Sequence, residues 1–294
     1  MFSSLISLRE FMLRKLFGDN SKMHLNDGAP RISTPSDKDF LKNLYSALAL
    51  IKSAAFTQSG TLVKYQKLRN SSEYLLYKTE LAGNLANFSL SSLKSNHEKM
   101  AFWINIYNML TIDAVITFKV KGSVIETNLG LLSFFRKAAY EIEGFRYSLE
   151  DIEHGILRAN RGHPYFPGPH FSSNDERISH VVYPFDYRIH FALNCASISC
   201  PPIAFYQVEN LETQLELAMH NFIIQESTID LEKNKIAIST IFKWYESDFD
   251  GKRGIKSLLL AVLPKEDPRH IFLSKQGNTK FSYRPYHWDL NSKI

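Results

Sequence analysis

The chain has 294 residues, 44% hydrophobic and 22% charged, with 21 Phe and 14 Tyr. That is ample apolar material for a large core, so global disorder is excluded, and the length admits one large domain or two ordinary ones. A formal charge of +5, from 35 Lys and Arg against 30 Asp and Glu scattered without a long like-charge block, argues for a solvated surface and against nucleic acid as a partner.

Residues 1–17, "MFSSLISLREFMLRKLF", place Leu5, Leu8, Met12 and Leu16 at helical spacing with basic residues between them. Arg9, Glu10, Arg14 and Lys15 interrupt any signal-peptide core. The helix either docks on the following domain or serves as a peripheral membrane anchor or targeting segment. No stretch is expected to match the roughly 20 apolar residues of a membrane span. Residues 18–36 read as a polar linker rich in Gly, Pro and Ser, and residues 37–291 as the globular domain. The expected location is cytoplasmic, with membrane association or organelle targeting through the first helix as the alternative.

From Asp37 a capped helix is expected, with Ser36 or Asp37 as the cap. "NHEKMAFWINIYNMLTIDAVITF" (Asn96 to Phe118) carries apolar residues on every face, which predicts a helix buried all round. Asn105, Asn108 and Thr111 share one side of it. Their amides must find partners, since stranding a buried one costs roughly 1–3 kcal/mol. They face either a neighbouring loop or a cleft. Tyr140 to Tyr147 reads as a hairpin turning at Glu143 and Gly144. Ser148 and Asp151 then form a capping box, opening a helix with Ile152, Ile156 and Leu157 as its apolar stripe. His154 stands off the centre of that stripe beside Gly155, where a missing side chain permits close approach.

Asn160 to Tyr187 is loop-rich, and its His163, His170 and His180 lack the i, i+4 spacing of a helical metal pair. "YRIHFALNCASISCPPI" follows. A strand is expected from Tyr187 to about Leu193, with His190, Ala192 and Asn194 on one face and Phe191, Leu193 and Cys195 on the other. On that alternation His190 meets Cys200 across the turn, not Cys195. Two cysteines are too few for a disulfide framework or a closed zinc site, so a reducing compartment and no metal or cofactor are expected. Val208 to Ile223 reads as an amphipathic helix burying Leu211, Leu215, Leu217 and Phe222. A hairpin at Glu232 to Lys235, two short helices and an aromatic segment pinned to the core, Phe281 to Asn291, complete the chain.

"AFWINIYNMLTI", "YSLEDIEHGILR", "IHFALNCASISCPPI" and "YHWDLN" together resemble the recurring blocks of the domain of unknown function 547 family. Ala196 stands where that pattern commonly has glycine, and Ile198 replaces a usual polar residue. The blocks match Trp103, Asn105, Tyr107, Asn108, Glu153, His154, His190, Cys195, Ser199 and Cys200. The expected fold class is α+β: a helix-rich single domain with a small, mainly antiparallel sheet, with a papain-like or transglutaminase-like arrangement as its finer form. The mix of Cys, His and Asn is similar in kind to papain-like or transglutaminase-like cysteine hydrolases.

Three functions follow as expectations. The first is a cysteine-dependent hydrolase or acyl transferase acting on a peptide or protein substrate. Cys200 or Cys195 is its nucleophile, His154 or His190 its base, and Asn105, Asn108 or Asp151 the orienting group. Trp103, Tyr107, Glu153 and Ser199 would line its substrate. The second is a non-catalytic peptide- or protein-binding module using the same cleft. The third is a thiol redox protein in which Cys195 and Cys200 close a reversible disulfide.

Overall fold

A computed structural model describes residues 2–17, 23–31, 36–126, 131–230, 232–275, 277 and 280–293. Of the linker expected at 18–36, residues 18–22 and 32–35 lie outside the described residues. The architecture is helix-rich α+β with small sheets of two and three strands. The chain divides into two compact units: Met1–Asp186 with Leu193–Leu211 and Trp288–Ile294, and Tyr187–Ala192 with Glu212–His287.

In the first unit, α1 (Phe2–Phe17) is followed by α2 (Asp37–Ala55), whose cap Ser36 accepts a hydrogen bond from the Asp39 N–H. The short helices α3 (Tyr65–Arg69) and α4 (Ser72–Leu76) lead to α5 (Asn96–Thr117), which opens on a complete capping box between Ser95 and Glu98. Met100 to Ile116 of α5 are buried without a break, as an all-apolar helix requires. By length and hydropathy α5 would also suit a membrane span, contrary to the sequence expectation, but it is buried in the protein core instead. Aromatic contacts run across it from Phe40 through Phe88 and Phe102 to Trp103 and Tyr147, with ring centroids 4.8–5.3 Å apart. Its one buried carboxylate, Asp113, accepts from Tyr74, Tyr140 and Lys78 at 2.6–2.9 Å, so the charge is paired.

The helix α6 (Leu131–Lys137) precedes β1 (Ala139–Ile142) and β2 (Phe145–Ser148), an antiparallel hairpin in the expected register. Glu143 and Gly144 both take positive φ, as a tight two-residue turn demands. The terminal segment is pinned to this unit: Leu290 N–H donates to Gly122 O at 2.7 Å and Asn291 N–H to Ala196 O at 2.9 Å.

In the second unit, α7 (Leu211–Glu226, whose first residue lies in the first unit) leads to β3 (Thr228–Asp230) and β4 (Lys235–Ile238), then α8 (Ile241–Trp244), α9 (Gly251–Val262), α10 (Pro268–Lys275) and β5 (Phe281–Tyr283). The strand β4 pairs antiparallel with β3 and parallel with β5. On α7, Leu211, Leu215, Met219, Phe222 and Ile223 are buried, whereas Leu217 is exposed and not buried as its apolarity suggested. Two residues beyond Leu215, it points to the opposite side of the helix.

The strand expected from Tyr187 to Leu193 is absent: Tyr187–Phe191 is a 3-10 helix. Side chains three apart eclipse in that geometry. Tyr187 and His190 therefore share a side, and both rings lie against Phe249, at 5.6 and 5.5 Å. Phe191 joins Phe222, Phe242 and Phe249 in the core of the unit. A strand here would need a sheet neighbour for its backbone; the helical turn satisfies itself and delivers the aromatic side chains inward.

Candidate functional site

The cysteine turn is built on amide side chains. Asn108 on α5 accepts from the Asn194 N–H at 2.9 Å through its oxygen and donates to Ala204 O at 2.9 Å. Asn105, one turn earlier, spans the backbone of Tyr206, donating to its carbonyl at 2.8 Å and accepting from its N–H at 2.7 Å. Asn194 donates to Pro201 O at 2.7 Å and accepts from the Ala196 N–H at 2.8 Å, which closes the loop on itself. Both α5 amides thus bind the neighbouring loop, one of the two outcomes left open by sequence.

The loop presents Cys195 and Cys200, both half-buried and joined as a disulfide with Cα atoms 6.3 Å apart. The Cys195 N–H points at Cys200 Sγ at 3.0 Å. Ser197 Oγ lies 3.3 Å from Cys195 Sγ, and Ser199 is half-buried in the same turn. Ala196, fully buried between them, has φ +65°. That left-handed conformation costs a residue with a Cβ roughly 1–2 kcal/mol.

Tyr107, the residue before Asn108 on α5, serves a second cluster. Tyr107 donates to Glu153 at 2.9 Å. Glu153 and His154 belong to a π-helical turn, Asp151–Leu157, that opens on the expected Ser148 and Asp151 box: Asp151 accepts from the Ser148 N–H at 2.8 Å, and Ser148 Oγ accepts from the Asp151 N–H at 3.1 Å. His154 is buried; its Nδ1 lies 3.2 Å from an Arg158 nitrogen and its ring 4.9 Å from His163. Arg158 also donates to Gly162 O. The close approach that Gly155 permits is made by the Phe171 ring, which any Cβ at this position would strike. Trp103 is buried among aromatic rings, with Tyr147 at 4.8 Å.

Sequence reasoning gave Asp151 a possible role towards an imidazole but did not find its partner. Asp151 meets His170 Nε2 at 2.8 Å and Arg177 at 3.3 Å. His170 lies nineteen positions after Asp151, beyond the helical turn and a Gly- and Pro-broken loop, and no periodicity announces such a contact. Burial works to raise the Asp151 carboxyl, but Arg177 and the His170 bond hold it well below the usual carboxylate range. Burial, with Arg158 and His170 adding to it, pushes His163 down to about 4. Glu150 is pushed up to about 7 by burial, against the pull of Arg136 at 2.9 Å. A cavity of about 350 Å³ opens beside this network, lined by Glu10, Arg14, Arg136, Asp151, His170 and Arg177 among others.

His190, the remaining candidate base, belongs to the second unit. Its Nε2 lies 2.9 Å from Asp248, both side chains 1% exposed, and its ring stacks on Tyr245 with centroids 4.0 Å apart. The regular alternation that would aim it at Cys200 does not exist.

Among the described residues, no group of three or more His, Cys, Asp or Glu could hold a metal ion. No curated protein and no solved structure matches the chain. A family model described as "Protein of unknown function, DUF547" matches residues 90–223, the span that contains α5, the His154 turn and both cysteines. Three of the four motif blocks lie inside the match, so this segment is similar to the domain of unknown function 547 family.

Proposed function

We propose that the family segment carries a thiol–disulfide redox centre at Cys195 and Cys200. The supporting observation is the pairing of the two sulfurs across a half-exposed turn that three asparagines hold in shape. In the reduced form, the Cys195 N–H directed at Cys200 Sγ favours the thiolate there. That thiolate attacks a disulfide of a partner protein or small thiol, forming a mixed disulfide and releasing one partner thiolate. Cys195 loses its proton and displaces the second partner thiolate as the intramolecular disulfide closes. Two thiols have become one disulfide, and the two protons they lose pass to the two partner thiolates, so the partner disulfide is reduced to two thiols.

Equilibration of the full chain in graded glutathione buffers, followed by alkylation and mass measurement, tests this. The expected result is a reversible loss of two hydrogens with a midpoint between roughly −300 and −180 mV. A pair that opens only when the protein unfolds would be a structural staple, and a pair that stays reduced in oxidised glutathione would have no redox role. Either result overturns the proposal.

The hydrolase or acyl-transfer reading draws on the same N–H donor at Cys200, with His154 or His190 as base. It ranks second because His154 Nδ1 lies against Arg158 and His190 Nε2 against Asp248. In the reduced chain it requires one thiol to react with iodoacetamide at neutral pH faster than free cysteine, and His154→Gln or His190→Gln to abolish that excess. A partner still captured by the Cys195→Ser, Cys200→Ser double variant would favour the binding-module reading.

A further inference from the structure

The helix α1 is seated with its apolar face outward. From the inner side, Ile6 is buried, and Arg9 donates to the carbonyls of Pro167, Pro169 and His170 at 2.8–3.2 Å. Glu10 pairs with Arg136 at 3.0 Å and with Arg9 at 2.8 Å. These bonds consume the helix's one acidic side chain on the protein side. The outer side carries Leu5, Leu8, Phe11, Met12 and Leu16, each 48–65% exposed. Five of the large exposed apolar side chains of the described chain thus crowd onto one helix of 16 residues. The cations Arg14 and Lys15 are also exposed, with Lys15 Nζ 4.7 Å from the Phe11 ring.

We propose that this outer face of α1 docks on an anionic membrane surface. A contiguous apolar patch of this kind marks an interaction site. Its basic residues choose the occupant: long cationic side chains among exposed apolar ones reach phosphate headgroups while their stems and the neighbouring leucines enter the acyl boundary. The helix is held in orientation by Arg9 and Glu10, so docking need not order a free segment. This surface is independent of the cysteine chemistry and stands whether or not that reading holds.

Co-sedimentation of the full chain with vesicles tests the proposal, using phosphatidylcholine alone and phosphatidylcholine with phosphatidylserine. The chain is expected to pellet with the anionic vesicles and to be released by raised salt. Leu8→Asp with Met12→Asp should lower binding at least about tenfold, and Arg14→Glu with Lys15→Glu on the order of tenfold or more. Leu75→Asp, at another exposed leucine (51% exposed), should leave binding unchanged. All these side chains are exposed, and circular dichroism checks that each variant is folded. Failure to pellet with either vesicle overturns the proposal. So does equal loss with Leu75→Asp, or light scattering that shows a dimer dissolved by the Leu8 and Met12 changes, which would make a second copy the occupant.

Discussion

Cys195 and His190 are five residues apart in sequence, yet they belong to different compact units and different physical settings. The cysteine turn is half-exposed, rests on amide hydrogen bonds and includes a left-handed alanine. The His190 pair with Asp248 is sealed among Tyr187, Tyr245 and Phe249. Residue types that suggest one catalytic constellation on paper divide into a half-exposed pair of sulfurs and a buried histidine–aspartate hydrogen bond. Proximity in sequence therefore carried no information about shared chemistry; exposure and hydrogen-bond partners did.

Asp248→Ala is expected to have the largest effect, because it strands a fully buried His190 nitrogen and opens a void beside it: a loss of roughly 3 kcal/mol or more in urea denaturation. The reduction potential of the cysteine pair is the second readout. A shift in it would tie His190 to the sulfurs, as the acyl-transfer reading requires, and would erase the contrast.

Asn108→Ala breaks the other side of the comparison. It removes the acceptor of the Asn194 N–H and the donor to Ala204 O, with an expected cost of roughly 1–3 kcal/mol for each group left stranded. Because the cysteine turn hangs from that contact, the midpoint of the thiol titration should move as well.

The pH dependence is next in size. Burial holds folded His163 at about 4, against an ordinary value of 6.5, so between these values the unfolded chain binds a proton that the folded chain does not. The associated stability is fully present above pH 6.5 and is lost as pH falls towards about 4, amounting to about 2 kcal/mol by pH 5. The depressed Asp151 carboxyl adds a loss of the same sign at lower pH. His163→Asn should flatten the acid limb between pH 7.5 and 5 in urea midpoints.

Ala196→Gly should give the smallest change. Relief of the positive φ, offset by a more flexible unfolded chain, predicts a gain of under about 1 kcal/mol in thermal unfolding. A loss would mean that the alanine methyl packs well enough to outweigh its strain.

Much of the fold was legible because it is written in local terms. The Ser36 cap, the unbroken apolar run of α5, the Glu143 and Gly144 turn and the Ser148 box each depend on residues within one or two helical turns, and all four form. The 187–193 segment was misread because β-prone residues only make a strand where a sheet edge waits for them. Leu217 was misplaced because apolarity was counted without its angle on the helix.

Of the site, sequence by itself singled out the residue types and the family motif: two cysteines five positions apart, amides one turn apart on a buried helix, and a histidine beside a glycine. Tertiary structure alone decided their partners. Asn108 reaches Asn194 across 86 positions, Asp151 finds His170 across a long loop, and Phe171 fills the space at Gly155. Side-chain identity and periodicity are local properties, whereas a hydrogen bond between distant segments exists only after the core has packed and fixed where each loop must run.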